Sequence, residues 1–355
     1  MKTSILAILS ILLITGQMSA KEIVVEQPAF NVRIGNDLEI EKIIIDQKTT
    51  TLHIRGYYFG LVNVDKDIYL NIGGKEYPLQ RSENLEFGKK METDEKGQHV
   101  FSLVFPPIPA KTECLDLCTR AKDWMIWDVE LKRPKKPTNP STVHIPAEFI
   151  KAANVTDDGK GLAAPQWKAA DGVLKGYFAG YKPEMKLCVE LAPDNIIMGT
   201  RQESYFADVN DDGTFELSVP MLVTRQVQVF IVSDNKDKLI LVDYMRAGNY
   251  NKLLFNDYIV MSPDEETHVF FDLPAYFKKT ARLRYDQQTD PKVFYFAGAN
   301  AEINNSYFDV VSCHLSNVGY SFLNLIRASS VLNCQFILGS AVKFKHHPYT
   351  IQCFR

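Results

Sequence analysis

The sequence predicts a mainly β protein with two β-sandwich domains of the immunoglobulin or transthyretin type and a short mixed α and irregular C-terminal segment. Two observations favour this fold class: short segments alternate apolar and polar residues, and Gly or Pro residues separate them. Of the 355 residues, 46% are hydrophobic and 23% charged, which is enough to fill globular cores. We expect a signal peptide at 1–20, sandwich domains at 21–131 and 171–275, a linker at 132–170 and a tail at 276–355.

The first twenty residues have the organisation of a secretory signal peptide. Lys2 supplies the positive start, an apolar run extends from Ile5 to Ile14, and the segment ends on Ala20, as such signals do. An uncleaved anchor is the alternative, but the run is shorter than the ~20 residues that a membrane-spanning helix needs. The sequence therefore predicts a periplasmic or secreted protein with no membrane span after the signal is removed.

The first domain is predicted from alternating segments between residues 50 and 131. In "DIYLNIGGKEYPLQ", apolar residues alternate on both sides of Gly73 and Gly74, which indicates a hairpin because glycine reaches the positive φ of such turns. Phe101, Leu103 and Phe105 share one face of a later strand, and "WMIWDVEL" supplies a closing strand. Several short strands with turns between them predict a sandwich.

The predicted linker begins with "LKRPKKPTNPST", which holds three prolines and four basic residues within 132–140. This composition is typical of an extended, semi-rigid spacer. A basic contact surface is the alternative interpretation. The following stretch, from Ile145 to Trp167, is ambiguous, and its "PAEFIKAANV" is compatible with a short helix.

The second domain is predicted from seven β-like runs in roughly 100 residues, the size of a sandwich: "GVLKGYF", "KLCVEL", "SYFADV", "TFELSVP", "QVQVFIV", "KLILVDY" and "THVFFDL". Between the third and fourth runs, Asp208, Asn210, Asp212 and Gly213 resemble the start of an EF-hand calcium loop. The twelfth position of that loop, which needs a bidentate carboxylate, is Val219. We therefore predict a hairpin turn here and no metal site.

The six cysteines include no C-x-x-C pair, so the usual redox-active spacing is absent. Cys114 and Cys118 are candidates for a disulfide that closes a small loop, since thiols outside the cytoplasm tend to be oxidised. Two partly buried thiols before a strand are the other interpretation. The Cys and His residues of the tail match no common zinc spacing, and we predict no metal there.

Common catalytic and cofactor motifs are missing from the sequence. There is no G-x-S-x-G, H-E-x-x-H, G-x-x-x-x-G-K-[ST] or G-x-G-x-x-G, so we assign no catalytic residue and no cofactor. The net charge of -3 provides no basic field for nucleic acid. Loops on a rigid scaffold are a usual place for recognition. The candidate binding loops are the turn at Gly73 and Gly74 and the "AGYKPEM" turn with Tyr181, Lys182 and Pro183.

Several segments together resemble the N-terminal, non-thioredoxin half of secreted TlpA-type thioredoxin-like disulfide reductases of Gram-negative bacteria: "FSLVFPPIPAKTECLDL", "WMIWDVEL", "GVLKGYFAGYKPEMKLCVEL", "DVNDDGTFELSVP" and "IVMSPDEETHVFFDL". The resemblance covers roughly residues 25 to 305. In that family a C-terminal thioredoxin domain carries the reactive C-x-x-C, which this sequence lacks, so no catalytic residue is implied. The sequence after Asn305 departs from the family and fits a truncated or frame-shifted end, a hypothesis that sequencing the downstream bases would settle.

The expected function is that of a secreted or periplasmic, non-catalytic accessory or binding protein with a protein or cell-envelope partner. One alternative is a relative of thiol–disulfide oxidoreductases that acts through Cys114 and Cys118, which would require an accessible thiolate of low pKa. Another is an envelope structural component that joins its partners through sheet edges.

Overall fold

The fold is described from a computed structural model of the chain. The structure describes residues 22–35, 38–57, 64, 66–89, 92–122, 124–132, 144–153, 167–193, 203–233, 253–281, 283 and 291–315, with side chains to Phe308. Strands account for 53% of the described residues and helices for 12%, which confirms the mainly β fold class. The predicted signal peptide, the run "KLILVDY" and the cysteines and histidines that follow His314 lie outside the described residues.

Two five-stranded antiparallel sheets face each other in the first half of the chain, with strand orders β1-β3-β4-β8-β7 and β2-β10-β9-β5-β6. Their strands are β1 Ile23–Glu26, β2 Val32–Ile34, β3 Leu38–Ile45, β4 Thr50–Tyr57, β5 Ile68–Ile72, β6 Lys75–Pro78, β7 Arg81–Glu83, β8 Gln98–Phe105, β9 Cys114–Thr119 and β10 Met125–Glu130. Alternate residues of the facing strands form the core: Leu52, Ile54, Phe101 and Leu103 are almost fully buried. Period-two alternation had predicted that Phe101 and Leu103 share one face.

Two four-stranded sheets form a second sandwich, with orders β14-β11-β17-β18 and β13-β12-β15-β16. Their strands are β11 Ala170–Ala179, β12 Leu187–Pro193, β13 Tyr205–Asp208, β14 Thr214–Met221, β15 Arg225–Ser233, β16 Leu253–Met261, β17 Glu266–Asp272 and β18 Phe294–Gly298. The pairing of β11 with β17 is parallel, whereas the other pairs are antiparallel. β18 lies within the range assigned to the tail by sequence and completes a sheet of this sandwich.

The predicted hairpin between "SYFADV" and "TFELSVP" is wrong in its pairing, although the turn is present. β13 pairs with β12 and β14 pairs with β11, so the turn passes from one sheet to the other. Gly213 has a φ of +86° and donates its N–H to the Asn210 carbonyl at 2.8 Å. The Asp212 carboxylate accepts the N–H of Thr214 at 2.9 Å. Local turn chemistry thus fixes the reversal but does not determine which strand pairs with which.

Three helices accompany the second sandwich in the described residues: α1 Ala147–Ala153, α2 Leu273–Thr280 and α3 Ala301–Leu315. α1 lies within the predicted linker and packs Phe149 on Phe270 of β17, with ring centroids 5.8 Å apart. α2 begins where the Asp272 side chain accepts the Ala275 N–H at 2.9 Å, which satisfies a donor of the first turn. None of the described helices has the length and apolar character needed to cross a membrane.

The two sandwiches share a hydrophobic cluster. Val32, Met125 and Trp127 of the first sandwich belong to the same buried cluster as Leu187 and Phe271 of the second. Polar contacts cross the same junction: Lys182 Nζ lies 3.1 Å from Asp128 Oδ2. Because apolar side chains from both halves are buried together, the halves are held in one arrangement.

Candidate functional site

The Gly73-Gly74 turn is an exposed tip between β5 and β6. The two glycines have φ of +57° and +85°, as predicted for this hairpin, and the Gly74 N–H donates to the Asn71 side chain at 3.1 Å. A Cβ at either glycine would meet nothing within 4 Å. Their small size is therefore needed for backbone conformation and not for a close approach.

The "AGYKPEM" turn lies at the junction of the two sandwiches. Tyr181 packs against the shared cluster, Lys182 forms the ion pair with Asp128, and Pro183 is exposed. Gly180 has a φ of +76°, and a Cβ there would lie 2.7 Å from Pro274 Cδ. Tyr181 and Lys182 therefore join the two halves, and Pro183 is left as the exposed candidate of this turn.

Cys114 and Cys118 are not joined by the candidate disulfide in this fold. Both lie on β9, where residues four apart are separated by about 13 Å, whereas bridged cysteines have Cα atoms ~4.4–6.8 Å apart. Both thiols are free. Burial, reinforced by Asp116, raises the pKa of the Cys118 thiol to about 12. Burial and the nearby Asp128 also raise the pKa of Cys114, so neither thiol has the lowered pKa that an oxidoreductase would need.

A serine and a histidine are hydrogen-bonded on an open sheet face of the first sandwich. Ser102 Oγ lies 2.9 Å from His53 Nδ1. His53 of β4 and Ser102 of β8 are opposite each other in the sheet. Lys42 of β3 lies opposite His53 on its other side, and Glu83 of β7 lies opposite Ser102 on its other side. A nucleophile is activated by a base that a third group orients. In a catalytic arrangement an acid would orient the histidine. Here Glu83 is next to the serine and Lys42 is next to the histidine, so the pair fits a row of cross-strand polar contacts better than a catalytic dyad.

A buried carboxylate in the second sandwich was missed in the sequence. Asp257 of β16 is 9% exposed, and its Oδ1 accepts the hydroxyl of Tyr307 on α3 at 2.7 Å and the N–H of Tyr258 at 2.8 Å. Burial raises the pKa of Asp257 to about 6, although the two hydrogen bonds oppose the shift. The sequence showed one acid in "LLFNDYIVM", a segment that we had not identified as a strand.

A small cavity lies between the sheets of the second sandwich. Its volume is about 20 Å³, and its lining is apolar and rich in phenylalanine, including Phe255, Phe271, Phe294 and Phe308. The volume is enough for one water molecule, but a buried water needs two or more polar partners. The cavity is therefore a packing void of the core and not a ligand site. In the described residues, no group of three or more His, Cys, Asp or Glu side chains could hold a metal ion.

Two large apolar side chains are exposed on neighbouring segments at the start of β11 and the end of β14. Trp167 is 73% exposed and Leu222 is 57% exposed. The Lys168 N–H donates to the Leu222 carbonyl at 2.8 Å, which holds the two segments together, and an ion pair joins Lys168 to Asp264 nearby. We call Trp167 and Leu222 the apolar end. Sequence reasoning missed it because Trp167 stands in the ambiguous stretch where no periodicity indicates burial or exposure.

Comparisons with known proteins place this chain in no family. No family model matches the sequence, and no curated protein matches it. Among solved structures, the chain is similar to a pullulanase type I from Bacillus subtilis in complex with maltose, at 12% identity and a TM-score of 0.18. The alignment covers 56% of this chain and 23% of the pullulanase, so this chain spans less than a quarter of that protein. A similarity this weak supports no argument about function.

Proposed function

We propose that this protein is a non-catalytic accessory or binding protein of the cell envelope, periplasmic or secreted, which binds a protein partner through the second sandwich. The apolar end carries the proposal. A tryptophan that is 73% exposed beside an exposed leucine forgoes the stabilisation that burial of these side chains provides. Tryptophan is also among the residues that contribute most at protein interfaces.

The surroundings of the apolar end suit an interface. Trp167 lies three residues before β11, and the Lys168–Leu222 hydrogen bond links its segment to the end of β14. Lys168 and Asp264 are charged residues beside the apolar pair, which matches the polar rim around an apolar centre that protein interfaces show. The predicted signal peptide and the resemblance to the front half of TlpA-type proteins support an envelope location.

The alternative of a thiol oxidoreductase is less well supported. Such enzymes keep an accessible cysteine as a thiolate by lowering its pKa. The pKa values of Cys114 and Cys118 are both raised, and Cys118 is buried. The exposed apolar end therefore favours binding over thiol chemistry.

In-cell photo-crosslinking tests the proposed function. A benzoylphenylalanine residue in place of Trp167 should capture one envelope protein on irradiation, because the apolar end would lie within the interface. The matched control is the same substitution at Ile150, another exposed apolar residue, which lies on α1. Equal capture at both positions, or none at position 167, would contradict the proposal.

A further inference from the structure

The edge strands on the two sides of the second sandwich differ in how far their outward backbone groups are hydrogen-bonded. β16 and β18 are edge strands of the two sheets on the side that faces α3, and β13 and β14 are the edge strands on the other side. An edge strand presents unpaired backbone N–H and C=O groups with which another chain can pair. Whether those groups are already occupied decides which edge is open to a partner.

Two consecutive asparagines of α3 occupy the backbone groups of β16 and β18. The Val260 N–H donates to Asn304 Oδ1 at 2.8 Å, and Asn304 Nδ2 donates back to the Val260 carbonyl at 3.0 Å. Asn305 makes the same pair of bonds with Phe296 of β18, at 3.0 and 2.9 Å. Each side-chain amide takes the place of a peptide unit in a neighbouring strand, and both asparagines are buried.

Other side chains occupy more of the β16 edge. The Tyr258 N–H donates to Asp257 Oδ1 at 2.8 Å, and the Tyr276 hydroxyl of α2 donates to the Leu254 carbonyl at 2.5 Å. Together with Asn304, these contacts use backbone groups of Leu254, Tyr258 and Val260 on β16. α3 therefore covers both edges at Val260 and Phe296, which obstructs an added strand on this side.

The edge of β14 is different. The Phe178 N–H donates to the Gly213 carbonyl, so alternation directs the backbone groups of Thr214, Glu216, Ser218 and Pro220 away from β11. The turn uses the groups of Thr214, and proline has no N–H to donate. No side chain or backbone group in the described part of the chain bonds the outward groups of Glu216 or Ser218. Counting the carbonyl of Pro220, two N–H groups and three carbonyls of this edge have no bonding partner among the described residues.

The open edge leads to the apolar end. Glu216, Ser218 and Pro220 have exposed side chains on one face of β14, and exposed Leu222 follows in the same alternation. Trp167 precedes Lys168, whose N–H donates to the Leu222 carbonyl, so its segment adjoins the end of this row. From Glu216 to Leu222 the row spans about 20 Å, the length of a typical strand.

We propose that β14 is the docking edge for an extended segment of the protein partner, which adds to the sheet as a strand and places an apolar side chain on Trp167 and Leu222. This inference rests on the proposed function and specifies its partner. Cross-strand neighbours of opposite charge stabilise a sheet, so a Lys or Arg of the segment lies opposite Glu216. In an antiparallel arrangement the apolar residue precedes that basic residue by six positions.

A displayed library of random nine-residue peptides, selected against the purified protein, tests the inference. We expect the enriched peptides to share an apolar residue six positions before Lys or Arg. Ser218→Pro removes an outward N–H and should weaken binding at least about tenfold, because the partner carbonyl then lacks its donor. Ser218→Ala keeps that N–H and should bind as the wild type does. Trp167→Ala should also weaken binding.

The results of these experiments distinguish a failure of strand addition at β14 from a failure of the proposed binding function. Selected peptides that lose affinity on Ser218→Pro but keep it on Ser218→Ala support the docking edge. Failure to enrich any peptide, or equal binding by both Ser218 variants, overturns it. If crosslinking at position 167 still captures an envelope protein in a Ser218→Pro background, the proposed function stands while strand addition at β14 is wrong. Circular dichroism of Ser218→Pro confirms that the variant is folded.

Discussion

Asp257 is a buried carboxyl group whose environment changes its ordinary acid–base behaviour. Its pKa of about 6 in the folded protein lies above the usual 3.8, so the folded state binds the proton more tightly than the unfolded chain does. The contribution of Asp257 to the free energy of unfolding should therefore rise as the pH falls from about 6 toward 4, and it is lost where Asp257 is ionised. The difference of about two pKa units corresponds to a contribution on the order of 3 kcal/mol.

Substitution of Asp257 tests this pH dependence. Urea unfolding at pH 4.5 and pH 7.5 should show a smaller difference in stability for Asp257→Asn than for the wild type, because the asparagine does not ionise. Asp211→Asn, which changes an exposed turn carboxyl, is the matched control and should leave the difference unchanged. An undiminished pH dependence in Asp257→Asn would mean that another group is responsible.

The thiols of β9 give a second prediction at the residue scale. Cys118 is 2% exposed with a pKa of about 12, whereas Cys114 is exposed. In the native protein at pH 8, iodoacetamide should modify Cys114 slowly and leave Cys118 unmodified until urea unfolds the chain, since the thiolate is the reactive form. Peptide mass spectrometry measures both sites. Rapid native labelling of Cys118 would revive the oxidoreductase hypothesis.

At the scale of elements, α3 stabilises the second sandwich through its asparagine pair. Asn305→Ala would leave the buried N–H and C=O of Phe296 without partners, so we expect a loss of about 1–3 kcal/mol in the free energy of unfolding. Asn304→Ala should cost a similar amount through Val260. Ser306→Ala, an exposed neighbour on the same helix, should change stability by no more than about 0.5 kcal/mol. Urea denaturation measures all three, and three equal values would contradict the assigned role.

Elements also show how far the sequence could predict the fold. The Gly73-Gly74 hairpin and the shared face of Phe101, Leu103 and Phe105 on β8 were predicted because alternation and turn chemistry are local. The pairing of β13 with β14 was predicted wrongly. The same turn residues can connect two paired strands of a hairpin or two strands that lie in different sheets, so the turn sequence alone does not determine the pairing. The role of Asn304 depends on Val260, 44 residues away, and the role of Lys182 depends on Asp128 in the first sandwich. No local pattern carries that information.

At the scale of the whole molecule, the two sandwiches should unfold together. Phe277 of α2 is 4% exposed and packs near Phe30 of the first sandwich, with ring centroids 6.4 Å apart. Phe277→Ala should lower stability by about 3–5 kcal/mol while a single transition remains, because the cluster is shared. Calorimetry checks this, with Phe101→Ala in the first core as a comparison. Two separated transitions in the wild type would show that the junction is weaker than the contacts indicate.

The exposed apolar end could not have been derived from the sequence at this scale. Trp167 and Leu222 are 55 positions apart in the sequence. Both are apolar residue types that are common in protein cores, so their identity does not indicate that they are exposed. Only the assembled sheets show that Met221 faces the core while Leu222 faces outward. The functional proposal therefore depends on the arrangement of the folded chain and not on a motif.

Hydrogen exchange of single backbone amides tests most directly the claim that one side of the second sandwich is closed and the other is open. The structure predicts slow exchange at Val260 and Phe296, whose edge amides donate to Asn304 and Asn305, and fast exchange at Glu216 and Ser218. Slow exchange at Glu216 and Ser218 in the isolated protein, or fast exchange at Val260 and Phe296, would contradict it.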